Sequence, residues 1–274
     1  MSGELYHELQ EALRASEPVV LATMIIGPPE QLGHTMLVRP GATVTDPPVV
    51  IGTLGQADLD RAVERDALGE LEVGRTGTRH YGPEGQAREN AVSIFIESFA
   101  PPPKMIIFGA VDFTAALGKV AKILGYWVIV CDPRPIFATA KRFPMADEIA
   151  IDWPNRYLEK VGPSLTGRDC ACVLTHDAKL DVPAIRALLA TKVGYLGVMG
   201  NRRTHENRIE RLRDVGVTDE QIARLMAPIG LDIGSRTPEE TAIAICAEII
   251  ARRSGHDVPS LRDRPGPIHA TPAG

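Results

Sequence analysis

The sequence predicts an α/β protein in which a Rossmann-like parallel-sheet domain follows a smaller α+β domain. Three observations lead there. Ala100-Pro101-Pro102-Pro103-Lys104 places three prolines in a row, a semi-rigid connector that fits neither a helix nor a central strand. After this seam, short apolar runs alternate with stretches of helical spacing, the order that parallel strands with crossover helices require. Before it, strand-like runs dominate between two helical stretches. The expected division is a first domain at 1–100, a linker at 101–104, a second domain at 105–255 and a loose tail at 256–274, dense in Pro, Gly, His and Arg.

In the first domain Leu5, Leu9, Ala12 and Leu13 form one helical stripe. VVLATMII (19–26), TMLV (35–38) and VVIGTL (49–54) read as strands, 57–71 as a helix and NAVSIFIESF (90–99) as a strand. In the second, MIIFGA (105–110) is a buried strand ending at Gly109, and Phe113, Ala116, Leu117, Val120, Ala121 and Leu124 make a helical stripe that Gly125 stops. WVIVCD (127–132), EIAI (148–151), ACVLTH (171–176) and YLGVM (195–199) follow as strands, with helices at 155–161, 183–190, 203–214, 219–226 and 238–252. Thr218 with Gln221 and Thr237 with Glu240 have capping-box spacing, and Pro238 suits a first helical turn. TAIAICAEIIA (241–251) is apolar almost all round, which predicts a buried helix.

Composition narrows the function classes. A chain of 274 residues, 44% hydrophobic and 24% charged, is long enough for two cores and is not a disordered or low-complexity polymer. Thirty Lys and Arg against 35 Asp and Glu leave a net charge of −5, so neither nucleic acid nor an anionic membrane is an expected partner. No apolar run approaches the roughly 18 residues of a membrane span, and the opening MSGELYHELQEALR has no signal-peptide core; a cytoplasmic protein is expected. Cys131, Cys170, Cys172 and Cys246 lie in apolar runs without metal-ligand spacing, which predicts reduced, buried thiols and no metal site.

Ligands of open α/β sheets bind beyond the carboxyl ends of the strands. The first such loop, FGAVDFTAALG (108–118), has Gly109, Val111 and Thr114 at the positions of a G-x-G-x-x-G fingerprint. Asp132 follows 23 residues after Gly109, the spacing of a ribose-binding carboxylate, whereas Val111 puts a β-branched side chain at the position of closest phosphate approach. NAD(P) is therefore an alternative ligand rather than the leading one. Thr175-His176-Asp177 offers an acid or base beside a carboxylate, or simply a capped turn. In GNRRTHENRIERLR (200–213), Gly200 and Asn201 lead Arg202 and Arg203 into a helix start, and five Arg against two Glu give a local charge of +3. This stretch fits a phosphate site or an exposed charged helix. Asp232, framed by Gly230 and Gly234, is either a site residue or a structural acceptor.

Long motifs in order carry a family resemblance: CDPRPIFAT, which contains Asp132 and Arg134, then KRFPMADE, WPNRYL, THDAKLDVPAI, YLGVMGNRRTHENRIERL and PIGLDIGSRTPEETAIAICAEIIA. Together they resemble the XdhC/CoxI family of xanthine dehydrogenase accessory proteins, strongly from about Lys104 to Gly255. The resemblance implies a Rossmann-like second domain and a molybdenum-cofactor chaperone rather than a catalyst. Its implied partners are a molybdenum hydroxylase client and a cofactor-sulfurating enzyme, with a homodimer as an open alternative. The implied cofactor site draws on Gly109, Asp112, Asp132, Arg134, Thr175 to Asp177, Gly200 to Arg203 and Asp232. The chain departs from the family at several positions. Val111 and Asp112 stand where Gly and His are more frequent, and GPPEQLG (27–33) replaces a G-S-x-P-R stretch. GTLGQADLD (52–60) replaces G-G-G-C-L-E, with Asp58 at the Cys position and Asp60 at the Glu position. No cysteine precedes Cys131.

Overall fold

Alternation along β1 (Val19–Ile26) explains how the first unit is layered. In the computed structural model, which describes residues 3–41, 46–86, 89–256 and 258, with the Arg202 side chain left aside, β1 is the middle strand of an antiparallel sheet. Its neighbours are β2 (Thr35–Arg39) and β5 (Val92–Phe99), and the edges are β3 (Val49–Gly52) and β4 (Gly77–Tyr81), in the order β3-β2-β1-β5-β4. Val20, Ala22 and Met24 point to one face and pack with Leu59, Val63, Ala67 and Leu71 of α2 (Ala57–Val73). Val19 and Leu21 point to the other and pack with Leu5, Leu9 and Ala12 of α1 (Gly3–Ala15). The run VVLA is continuously apolar because both sheet faces are covered. Two expectations need correction: Leu13 is exposed rather than part of the α1 stripe, and β4 had no apolar alternation to reveal it.

The second unit, described from Pro102 onward, follows the same logic with parallel strands. Its strands are β6 (Lys104–Phe108), β7 (Trp127–Cys131), β8 (Glu148–Ala150), β9 (Cys170–Val173), β10 (Tyr195–Val198) and β11 (Leu225–Met226). They lie in the order β11-β10-β9-β6-β7-β8, all parallel, with a reversal of winding between β6 and β9. Met105, Ile107, Val128, Cys172 and Leu174 meet α3 (Asp112–Ile123) and α8 (Pro238–Ser254) on one face. Ile106, Phe108, Ile129 and Val173 meet α4 (Pro154–Val161), α5 (Ala178–Leu189) and α6 (Arg202–Asp214) on the other.

Both capping boxes form, at Thr218 before the short α7 (Asp219–Ile222) and at Thr237 before α8. Three boundaries differ from expectation. The helix expected over 219–226 stops at Ile222, because Leu225 and Met226 pair with Leu196 and Gly197 as a sixth strand. α5 starts five residues before the predicted 183, capped by Asp177, and accommodates Pro183 inside. α8 is not buried all round: Ala242, Ile245, Cys246 and Ile249 are, while Ile243 and Ile250 stay exposed. The four cysteines are free and buried, as expected. No described helix is long and apolar enough to cross a membrane. Of the expected tail, 257 and 259–274 lie outside the described residues.

Candidate cofactor-binding site

The reversal between β6 and β9 is the point where an open sheet leaves a crevice beyond its strand ends. Gly109 follows β6 with φ +112°, a conformation that L side chains rarely adopt. A Cβ on it would stand 3.1 Å from the Thr175 backbone N, so this position needs glycine for the close approach of the loop after β9. The third fingerprint position, Thr114, is buried and donates its hydroxyl to the Gly109 carbonyl, bracing the turn from within.

After β7, Asp132 is fully buried and its carboxylate is already engaged. Oδ2 accepts from the Ala110 N–H at 2.7 Å and from Arg134 Nη2 at 2.7 Å; Oδ1 accepts from the Arg134 backbone N–H and Nε, both at 2.9 Å. Burial acts to raise the Asp132 pKa, but the hydrogen bonds from the Arg134 side chain and from the Ala110 and Arg134 N–H groups outweigh it, and the carboxyl lies below its ordinary range. Asp132 thus organises the loop, and Arg134, 46% exposed, carries the charge outward. The Arg134 guanidinium stacks 4.8 Å from the Phe137 ring, and the Asp177 charge helps to raise its pKa behind the larger effect of Asp132.

Beyond β9, Thr175 is buried and accepts the Asp177 N–H at 3.0 Å, while Asp177 caps α5 through the Lys179 N–H at 2.9 Å. The capped-turn alternative for this segment is therefore realised, with His176 exposed on it. Beyond β10, Gly200 has φ +149° and Asn201 caps α6 by accepting the Thr204 N–H at 2.8 Å. Arg203 is exposed in the first turn; the Arg202 side chain lies outside the described set. No acidic residue occupies that turn, so the positive end of the α6 dipole is uncompensated.

The structure therefore brings together Gly109, Asp132, Arg134, Thr175, Asp177 and Gly200. It leaves two predicted residues apart. Asp112, with its side chain 91% exposed, points to Arg142 at 3.4 Å, and Asp232 is exposed with no hydrogen bond or ion pair among the described residues. Arg208, one of the five arginines behind the +3 charge, is buried rather than presented: Nη2 reaches Asp181 Oδ2 at 3.1 Å and the Met199 carbonyl at 2.9 Å. Arg142 escaped the sequence reading as well. It ties the Ala110 and Phe137 carbonyls at 3.0 and 3.2 Å and borders a cavity of about 280 Å³ with Val111, Lys119, Phe143 and Glu239. Its only signal was the cluster of Arg and Phe in PRPIFATAKRFP.

In the first unit, loops corresponding to two family motifs meet. A Cβ on Gly55 would stand 2.9 Å from the Gln31 side chain, so the 52–58 and 27–33 loops are adjacent. Asp60 is used internally, accepting from the Leu54 N–H at 2.8 Å and the Thr53 hydroxyl at 2.6 Å, and Asp58 pairs with Arg61. Among the described residues no three His, Cys, Asp or Glu side chains are grouped as a metal site requires.

Comparison with known proteins agrees with this architecture. The XdhC Rossmann domain matches residues 105–249, just over half of the chain, and the XdhC and CoxI family model matches residues 12–82. A probable xanthine dehydrogenase subunit from Bacillus subtilis is 32% identical over 165 residues, covering 60% of this chain and 47% of that protein. The molybdenum cofactor insertion chaperone PaoD of Escherichia coli is 25% identical over 159 residues, 58% of this chain and 43% of that one. The chain spans less than half the length of the curated relatives it matches. A crystal structure of a xanthine dehydrogenase from Bacillus halodurans superposes with a TM-score of 0.54 at 20% identity, covering 94% of this chain and 97% of the other, a likeness of fold. The chain belongs to the XdhC and CoxI family.

Proposed function

We propose that the chain is an accessory protein for a molybdenum hydroxylase such as xanthine dehydrogenase. It holds the molybdenum cofactor, as molybdopterin or its nucleotide form, by a phosphate in the switch-point crevice and passes it to the client enzyme. The observation that carries this reading is the start of α6. Arginine at a helix N-terminus faces the positive end of the dipole, at a cost of roughly 0.3–1 kcal/mol, and a bound anion turns that cost into attraction. The names of the relatives support the choice of ligand and client.

The residues fit the phosphate end of the cofactor better than its metal end. All four thiols are buried, and burial pushes Cys131 and Cys170 up to about 12 and Cys246 up to about 11, so none offers a thiolate near neutral pH. Asp58, at the family's cysteine position, is a hard ligand committed to Arg61. Ligation of molybdenum by a cysteine of this chain does not fit. The bound cofactor supplies redox chemistry to the client; this chain supplies grip, and a separate cytoplasmic sulfurating enzyme supplies sulfur.

Arg203→Glu tests the site. The expected result is at least tenfold weaker retention of the cofactor, read as pterin fluorescence after oxidative release, with a melting temperature equal to or above that of the wild type. Unchanged retention would remove α6 from the site. The strand order also favours a second reading, an NAD(P)-dependent oxidoreductase, but both Asp132 oxygens are already bonded where a ribose would need them. Stabilisation by NAD or NADP alone in a thermal-shift series that includes ATP and CTP would reverse that preference.

A further inference from the structure

Arg208 sits in the second turn of α6, and its side chain is only 4% exposed. Its Nη2 joins two neighbouring segments on the β9–β10 side of the crevice. One contact is the Met199 carbonyl, immediately before Gly200; the other is Asp181, on α5, whose N–H bonds the carbonyl of the cap residue Asp177 at 2.9 Å. Gly200 lies directly over this group: a Cβ there would stand 3.3 Å from Thr204 and 3.5 Å from Arg208 Nη1. We propose that Arg208, acting through Asp181 and the Met199 carbonyl, is the positioning residue that sets the spacing between the Thr175–Asp177 loop and the Gly200–Arg203 turn. The inference rests on reading the crevice as an anion site and goes beyond it by naming what holds the loops after β9 and β10 in register.

The bonding of the pair supports a geometric role over a stabilising one. Arg208 Nη1 and Asp181 Oδ1 are buried without hydrogen-bond partners. The Thr175 hydroxyl lies close enough to this carboxylate to favour its ionised form. A half-satisfied buried ion pair gives little net stability, and well-packed apolar residues in its place are often neutral or stabilising. Its benefit is a buried donor that bridges α5 to the carbonyl immediately before Gly200.

The test uses the full chain carrying Asp181→Leu with Arg208→Met, an apolar exchange expected to leave the melting temperature unchanged or higher. Two amides report the two segments: Asp177, bonded to the Thr175 hydroxyl, and Thr204, bonded to Asn201. Both should exchange with solvent at least tenfold faster. Sulfate, whose charge is constant from pH 5 to 8, should bind at least tenfold more weakly in an NMR titration. Should the double variant fail to fold, Arg208→Gln, which is shorter and uncharged, carries the same expectation. Unchanged exchange at both amides in a folded variant overturns the inference. Faster exchange in a protein whose wild type binds no sulfate overturns the anion-site reading and leaves the positioning role standing.

Discussion

Two aspartate–arginine clamps flank the crevice, and they differ in almost every respect that matters. On the β7 side, Asp132 and Arg134 are two residues apart, four donor contacts meet the carboxylate, and the arginine is 46% exposed. On the β10 side, Asp181 and Arg208 are 27 residues apart, both side chains are 4% exposed, and each keeps a polar atom unbonded. Burial pushes both carboxyls upward, yet Asp132 ends below its ordinary range while Asp181 rises to about 6. Asp132 meets four donor contacts that outweigh burial, whereas Asp181 has fewer and is pushed further up by the Asp177 charge. A turn brings its own backbone N–H groups to the carboxylate; at Asp181 the donors are side chains alone, Arg208 and the Thr175 hydroxyl.

The largest test of this contrast is to remove each arginine in turn. Arg208→Ala leaves a buried carboxylate unpaired and should cost about 3–5 kcal/mol in urea unfolding at pH 7. Arg134→Ala leaves two backbone donors on Asp132 and should cost only about 1 kcal/mol, since the partner lost is half exposed. Equal losses would erase the distinction. A smaller, sharper effect lies in pH. The raised pKa of Asp181 means that folding takes up a proton there. Its ionisation therefore costs stability in full above about pH 6, and that cost is relieved as the pH falls toward the ordinary carboxylate value. Wild type relative to Asp181→Asn should gain up to about 1.4 kcal/mol per pH unit on descending through this window. Asp132 is depressed, so its contribution is present above the ordinary carboxylate value and is lost as the pH falls through its lower folded pKa. Relative to Asp132→Asn, the wild type should lose stability only at the acid end. Parallel slopes in the two series would contradict the donor account.

The same contrast explains how much was legible in the sequence. Asp132 and Arg134 sit in one short motif, and Asn201, Thr218 and Thr237 act within a few residues of themselves, so local chemistry is enough to find them. Asp181 and Arg208 carried no such signal. Arg208 sits among four other arginines on a polar-looking helix, and only the packing of α5 against α6 shows that it turns inward. Strand β11 was hidden for a related reason. Leu225 and Met226 continue a helical spacing, and the neighbour that makes them a strand, β10, lies far back in the chain. Short apolar runs revealed β1, β6, β7, β9 and β10 because each of these strands buries both of its faces.

The burial of all four cysteines has a practical side. With no thiol at the surface and none ionised near neutral pH, the native protein should be almost inert to maleimides and iodoacetamide. A single cysteine introduced at an exposed position of α6 would then take a fluorophore with negligible background, giving an optical probe at the helix start where we propose that an anion binds.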